Sequence, residues 1–222
     1  MTPKTPKPMK KLLTILTLLF NALTALSQLY SHGLRQEAED GNPEAQFTLG
    51  LCYDIGDGVV ENKREATEWY RKAAEQEYAD AQYMLGLCYA DGEGVQEDMR
   101  QAVKWYRKAA EQGIAAAQCN LGNCYAEGSG VLMDYGEAIK WYRKAAAKNN
   151  GYTMNNLGLM YIQGKGVREN IPIGMYWFKK SGELGNEDAI SNYNRLYEAG
   201  YRAATSPTGT KGTSGKRKSR RR

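Results

Sequence analysis

The chain has 222 residues, with 30 Lys and Arg against 25 Asp and Glu, a net charge of +5. Its single histidine, His32, leaves little room for histidine-based catalysis or zinc ligation, and sixteen Tyr against three Phe suit half-buried faces where a ring packs and a hydroxyl stays wet. The basic balance belongs to the ends: four lysines in the first eleven residues and seven cations in the last twelve leave 19 cations against all 25 anions between them, so the body carries −6 and is no nucleic-acid binder on charge grounds.

The first element is an export signal. A cationic stretch ends at Lys10 and Lys11, an apolar run follows from Leu12 to Leu26, and small Ala25 and Ser27 sit where a signal peptidase cuts. Fifteen apolar-run residues fall short of the roughly 20 that a membrane-spanning helix needs. Residues 1–27 are therefore expected to be removed, leaving a periplasmic or secreted protein that starts at Gln28; an uncleaved anchor is the alternative. Residues 28–41 are predicted to form a helical cap, with Leu34 to Asp40 aligning with the end of a helix in the repeats that follow.

Self-similarity organises residues 42–202. Trp69, Trp105, Trp141 and Trp177 are the only tryptophans, each 36 residues after the last. Leu49-Gly50, Leu85-Gly86, Leu121-Gly122 and Leu157-Gly158 keep the same step, as do Tyr53, Tyr89, Tyr125, Tyr161 and Tyr197. Gly-x-Gly-Val turns at Gly56, Gly92, Gly128 and Gly164 hold the register. Within a copy, Asn42 can cap a helix with Pro43 at its first position, and Ala45, Leu49, Cys52 and Tyr53 make one apolar stripe. Gly56-Asp57-Gly58 ends that helix, because glycine reaches positive φ without penalty. A second helix is predicted from about Asn62 to Gln76, its inner stripe formed by Ala66, Trp69, Tyr70 and Ala73. Four copies and a half-copy (Asp188 to Ala199) result, the half-copy serving as the polar cap such arrays need.

The pattern Ala81-x-x-x-Leu85-Gly86-x-x-Tyr89, Gly92-x-Gly94-Val95, then Ala102-x-x-Trp105-Tyr106-x-x-Ala109 resembles the Sel1-like repeat family, relatives of the tetratricopeptide repeats. The resemblance implies an all-α, right-handed α-solenoid of helix–turn–helix repeats that acts as a scaffold or adaptor for a protein or peptide. The fourth copy departs from the pattern most, with Thr153, Gly174 and Ser181 in place of alanines. Gly50, Gly86, Gly122 and Gly158 and the four tryptophans are expected to be repeat core. By resemblance, the first helix of each pair lines the binding face. Positions between the stripe residues are then the groove: Phe47, Leu51, Tyr83 and Leu87, Cys119 and Asn123, and Tyr152, Asn155, Leu159 and Ile162. The competing reading is that Phe47 and Tyr83 pack against adjacent first helices.

Other sites do not survive inspection. A phosphate-binding Gly-rich loop follows a strand and occurs once, whereas these turns recur four times between helices. Cys52, Cys88 and Cys124 are repeat equivalents replaced by Met160 and Leu196, which marks an apolar slot, and free thiols are favoured over disulfides. Cysteine-rich members of the family have been linked to β-lactam binding or hydrolysis, but no Ser-x-x-Lys or Gly-x-Ser-x-Gly motif occurs. Glu61 and Glu65 read as charges at a helix start. The chain is therefore expected to be a non-enzymatic monomer with no metal, cofactor or small-molecule substrate. Residues 203–222, rich in Thr, Gly, Ser, Lys and Arg, are expected to be disordered. Their cations, Lys211, Lys216, Arg217, Lys218, Arg220, Arg221 and Arg222, can be a solvated tail or a tether to an anionic surface such as envelope lipid or nucleic acid. They also resemble a nuclear localisation signal.

Overall fold

The computed structural model describes residues 32–208, and among these every regular element is a helix. The segment 32–39 is α1. Then come α2 (Pro43–Ile55), α3 (Lys63–Glu75), α4 (Ala79–Asp91), α5 (Met99–Glu111), α6 (Ala115–Glu127), α7 (Tyr135–Ala146), α8 (Gly151–Gln163), α9 (Ile171–Glu183) and α10 (Glu187–Glu198). This is the all-α repeat fold, with α2–α3, α4–α5, α6–α7 and α8–α9 as the four pairs and α10 as the fifth first helix. The expected export signal, and the tail from residue 209 onward, lie outside the described residues.

Local chemistry places the helix ends where the pattern puts them. The Asn42 side chain accepts from Ala45 N at 2.9 Å, with Pro43 at the first helical position. Gly56, Gly128 and Gly164 close α2, α6 and α8 in the left-handed conformation, at φ 74°, 77° and 66°. Asn62, Asp98, Asp134 and Asn170 cap the second helices through their side chains.

The described residues divide into two compact units, 32–81 with 93–95, and 82–92 with 96–208. In the first, Ala38, Ala45, Leu49 and Trp69 form one buried cluster. Arg35 of α1 donates to the Tyr53 hydroxyl at 2.6 Å. In the second unit Arg107 bonds Tyr125 at 2.7 Å and Arg143 bonds Tyr161 at 2.6 Å, the same 18-residue offset, so α1 serves as the end of a second helix. The core of the second unit runs through Tyr106, Leu121, Tyr142 and Leu157.

The repeated glycines have two different jobs. A Cβ on Gly86, Gly122 or Gly158 would lie 2.5–2.6 Å from the ring of Tyr106, Tyr142 or Phe178, and one on Gly50 would lie 2.7 Å from Tyr70. Each first helix is thus notched to admit the aromatic of its second helix. The second glycine of each turn meets backbone: Gly94 abuts Lys63 O, Gly130 abuts Met99 O and Gly166 abuts Tyr135 O, each one repeat earlier. Gly58, with no full repeat before it, has open space around its Cβ position.

Substitutions in the fourth copy are accommodated one by one. Buried Thr153 donates to the Asn150 side chain at 2.8 Å, buried Ser181 donates to Gly151 O at 2.7 Å, and the space over Gly174 is filled by Ile162. After α10 the chain turns back, and Ala204 N donates to Pro172 O at 2.8 Å.

Candidate functional site

In the first unit Phe47 is half-buried and lies 5.9 Å from the Tyr70 ring and 5.2 Å from Tyr78; Leu51, one turn on, is also half-buried. In the second unit Tyr83 and Leu87 of α4, Asn123 of α6, and Asn155, Leu159 and Ile162 of α8 are all half-buried. Tyr152 is 76% exposed, whereas Cys119 is buried. Tyr83 leans on Tyr106 with ring centroids 6.1 Å apart. Phe47 and Tyr83 therefore rest on second-helix aromatics that fill the glycine notches. Ile162 is committed to its contact with Gly174.

A row of asparagines, most of it invisible to apolar pattern reading, joins them. Asn120 stands beside both Tyr83 and Tyr106, where its side chain favours their ionised forms against the effect of burial. The Tyr142 hydroxyl donates to Asn123 Oδ1 at 2.7 Å, and Asn156 Nδ2 donates to the same oxygen at 3.0 Å, linking α8 to α6. Asn192 Nδ2 donates to Asn155 Oδ1 at 3.3 Å, linking α10 to α8. Asn120, Asn156 and Asn192 obey the 36-residue step, which is the signal that finds them in the sequence. Burial holds the Tyr83, Tyr106 and Tyr142 hydroxyls above the ordinary phenol range, and the acidic side chains that reinforce this are Asp91 for the first two and Glu127 for the third.

Three of the four tryptophans are buried in the core. Trp69, Trp105 and Trp141 are 6–7% exposed, and Lys72, Lys108 and Lys144 cross their rings at 3.5, 4.8 and 3.9 Å. Trp177, in the last second helix, is half-buried against Tyr176. All four cysteines are free thiols, and burial pushes Cys124 up to about 11 and raises Cys119, so both are held protonated near neutrality. Among the described residues no His, Cys, Asp and Glu cluster could hold a metal ion. A cleft of about 330 Å³ in the first unit is lined by His32, Leu34, Arg35, Leu49, Cys52 and neighbouring turn residues, apart from Phe47 and Leu51.

The Sel1 repeat family matches residues 43–78, 79–114, 115–150 and 151–186, four contiguous 36-residue units in the register of the helix pairs. The chain belongs to the Sel1 repeat family. Sel1 repeat proteins generally mediate protein–protein interaction, and the scaffold is generally non-enzymatic. One solved relative is a protective antigen of uropathogenic Escherichia coli strains displaying an SLR fold, 40% identical over 79% of this chain, with a TM-score of 0.75. A Sel1 repeat protein from Oxalobacter formigenes is 37% identical over 77% of this chain, with a TM-score of 0.69. The chain matches 38% of the length of the first and 75% of the second. No curated protein matches it.

Proposed function

We propose that this Sel1 repeat chain is an exported, non-catalytic scaffold that holds an extended peptide segment of another protein along its first helices. The observation that carries the reading is the row of half-buried side chains on α4, α6 and α8: Tyr83 and Leu87, then Asn120 and Asn123, then Asn155, Asn156 and Leu159. An asparagine amide offers both a donor and an acceptor, the same pair that an extended backbone presents. Bonds between asparagines on successive helices hold the amides at set positions before any ligand arrives, which lowers the ordering cost of binding. Leu and Tyr supply the apolar contact between those polar points. Phe47 and Leu51 are the matching residues of the first unit.

The export part rests on Lys10-Lys11, the Leu12–Leu26 run and Ala25-x-Ser27. It is also supported by kinship to a protective antigen, a protein that the immune system meets. Intact-mass analysis of protein from its native host should find the mature chain starting at Gln28; soluble protein retaining residues 1–27 would refute export. The groove is tested with peptides selected from a random display library. Tyr83→Ala and Leu87→Ala should each weaken binding by about 1–2 kcal/mol while melting shifts little. If both lose stability in proportion to binding, these side chains are core and the groove lies elsewhere.

A further inference from the structure

Charge is sorted between the two helices of each repeat. The first helices α4, α6 and α8 contain no Lys or Arg, while α5, α7 and α9 carry Arg100, Lys104, Arg107, Lys108, Lys140, Arg143, Lys144, Lys179 and Lys180. Five of these nine cations are held on aromatic side chains: Lys104 and Lys108 on Trp105, Lys144 on Trp141, Arg107 on Tyr125 of α6 and Arg143 on Tyr161 of α8. The ionised side chains that act on the row's tyrosines are Asp91 and Glu127, both exposed at the carboxyl ends of α4 and α6. The helix dipole adds partial negative charge at those same ends. On the capping helix the sign changes, because Arg195 stands 36 residues after Leu159 and donates to Asn192. The α4–α6–α8 row therefore carries no Lys or Arg and has carboxylates, Asp91 and Glu127, at the ends of α4 and α6.

The same chain contains a segment suited to it. Residues 209–222 carry seven cations, no anion and no large apolar side chain. The last described turn belongs to the second unit, where Ala204 is tied to Pro172 at the start of α9. Fourteen extended residues span about 46–50 Å. Neighbouring first helices stand roughly 10 Å apart, so α4 to α8 is a span of about 20 Å and within reach.

We propose that residues 209–222 dock in cis along the α4–α6–α8 row as an extended cationic peptide, which a partner must displace. This rests on the peptide-groove reading above and adds what fills the groove when no partner is present. Release would expose seven cations at the moment of partner capture, coupling the groove to whatever anionic surface the tail meets.

The test compares the full chain with a chain ending at Thr208. The probes are a fluorescein-labelled synthetic peptide of residues 209–222 and a version with serine at its seven cationic positions. The tail peptide should bind the shortened chain, and the serine version should bind it more weakly. The full chain should bind the tail peptide about ten-fold more weakly, because its own tail sits at an effective concentration on the order of millimolar. Asp91→Asn and Glu127→Gln should each weaken binding to the shortened chain by about two- to five-fold at low salt, without moving its Tm. Equal binding by the two chains overturns the proposal, as does tail binding insensitive to Tyr83→Ala and Asn123→Ala. A full-length dimer that tail removal dissolves also overturns it, by placing the tail on a second copy. If the tail peptide fails while a library-selected neutral peptide binds through Tyr83 and Leu87, the tail proposal falls and the groove stands. If no peptide depends on those residues, the groove reading itself fails.

Discussion

Lys148→Gln should stabilise the protein. In the first copy Gln76 Nε2 donates to Gln46 Oε1 at 2.8 Å, and in the second Gln112 Nε2 donates to Gln82 Oε1 at 2.8 Å. Gln46 and Gln82 are both buried. In the third copy the buried partner is kept as Gln118, whose Nε2 donates to Ala110 O at 2.9 Å, but the facing position is Lys148. Lys148 bonds Gly113 O instead, and Gln118 Oε1 is left buried without a partner. The fourth copy replaces both members, with Met154 and Leu184. An unsatisfied buried acceptor costs about 1–3 kcal/mol, and a net hydrogen bond returns about 1 kcal/mol. Lys148→Gln forfeits only an exposed contact, so a gain of about 1 kcal/mol follows, or a rise in Tm of about 2–4 °C. Urea denaturation should show a higher midpoint at unchanged m. The gain should vanish when Lys148→Gln is made in a Gln118→Met background, since the orphan oxygen is gone. A neutral Lys148→Gln, or the same gain in both backgrounds, would refute the reasoning.

Further expectations concern the turns, the core and pH. Gly58→Ala should cost about 1–2 kcal/mol for its left-handed φ of 71° alone, whereas Gly130→Ala must also displace the Met99 carbonyl and should cost more; equal urea midpoints would contradict the close approach. Trp105→Ala should destabilise by about 3–5 kcal/mol in the same assay, and a near-neutral result would mean that the indole is a surface feature. Stability should fall at alkaline pH. Burial raises Cys124 to about 11 and raises Tyr106 and Tyr142, so the native state holds these protons more tightly than the unfolded chain. The stabilisation is complete below the unfolded values and is lost as pH climbs from about 9 through 11 and beyond. Melts across that range check the sign, and a Tm that rises with pH would refute it.

The 36-residue step, the asparagine caps and the glycine turns were legible in the sequence because each is a local backbone requirement repeated four times. A left-handed C-cap needs glycine wherever it occurs, and Asn42 caps a helix through a bond only three residues long. The burial of Trp69, Trp105 and Trp141 and the α3 boundaries followed from the same periodicity, whereas Trp177 is only half-buried. What the sequence left open was which neighbour each side chain meets. Gly94, Gly130 and Gly166 read as turn residues, yet their second constraint is a carbonyl one repeat away, which no local pattern displays. Cys119 occupies a groove position by register, but it is buried; Phe47 and Tyr83 have the size of groove residues, but lean on the second-helix aromatics Tyr70 and Tyr106. Asn120 and Asn156 look like ordinary polar positions until helix packing brings their amides against tyrosine hydroxyls. Backbone conformation is set within a few residues, so a single strand of sequence reports it. Side-chain burial and pairing depend on atoms 18 to 36 residues away, and only the packed helices decide them.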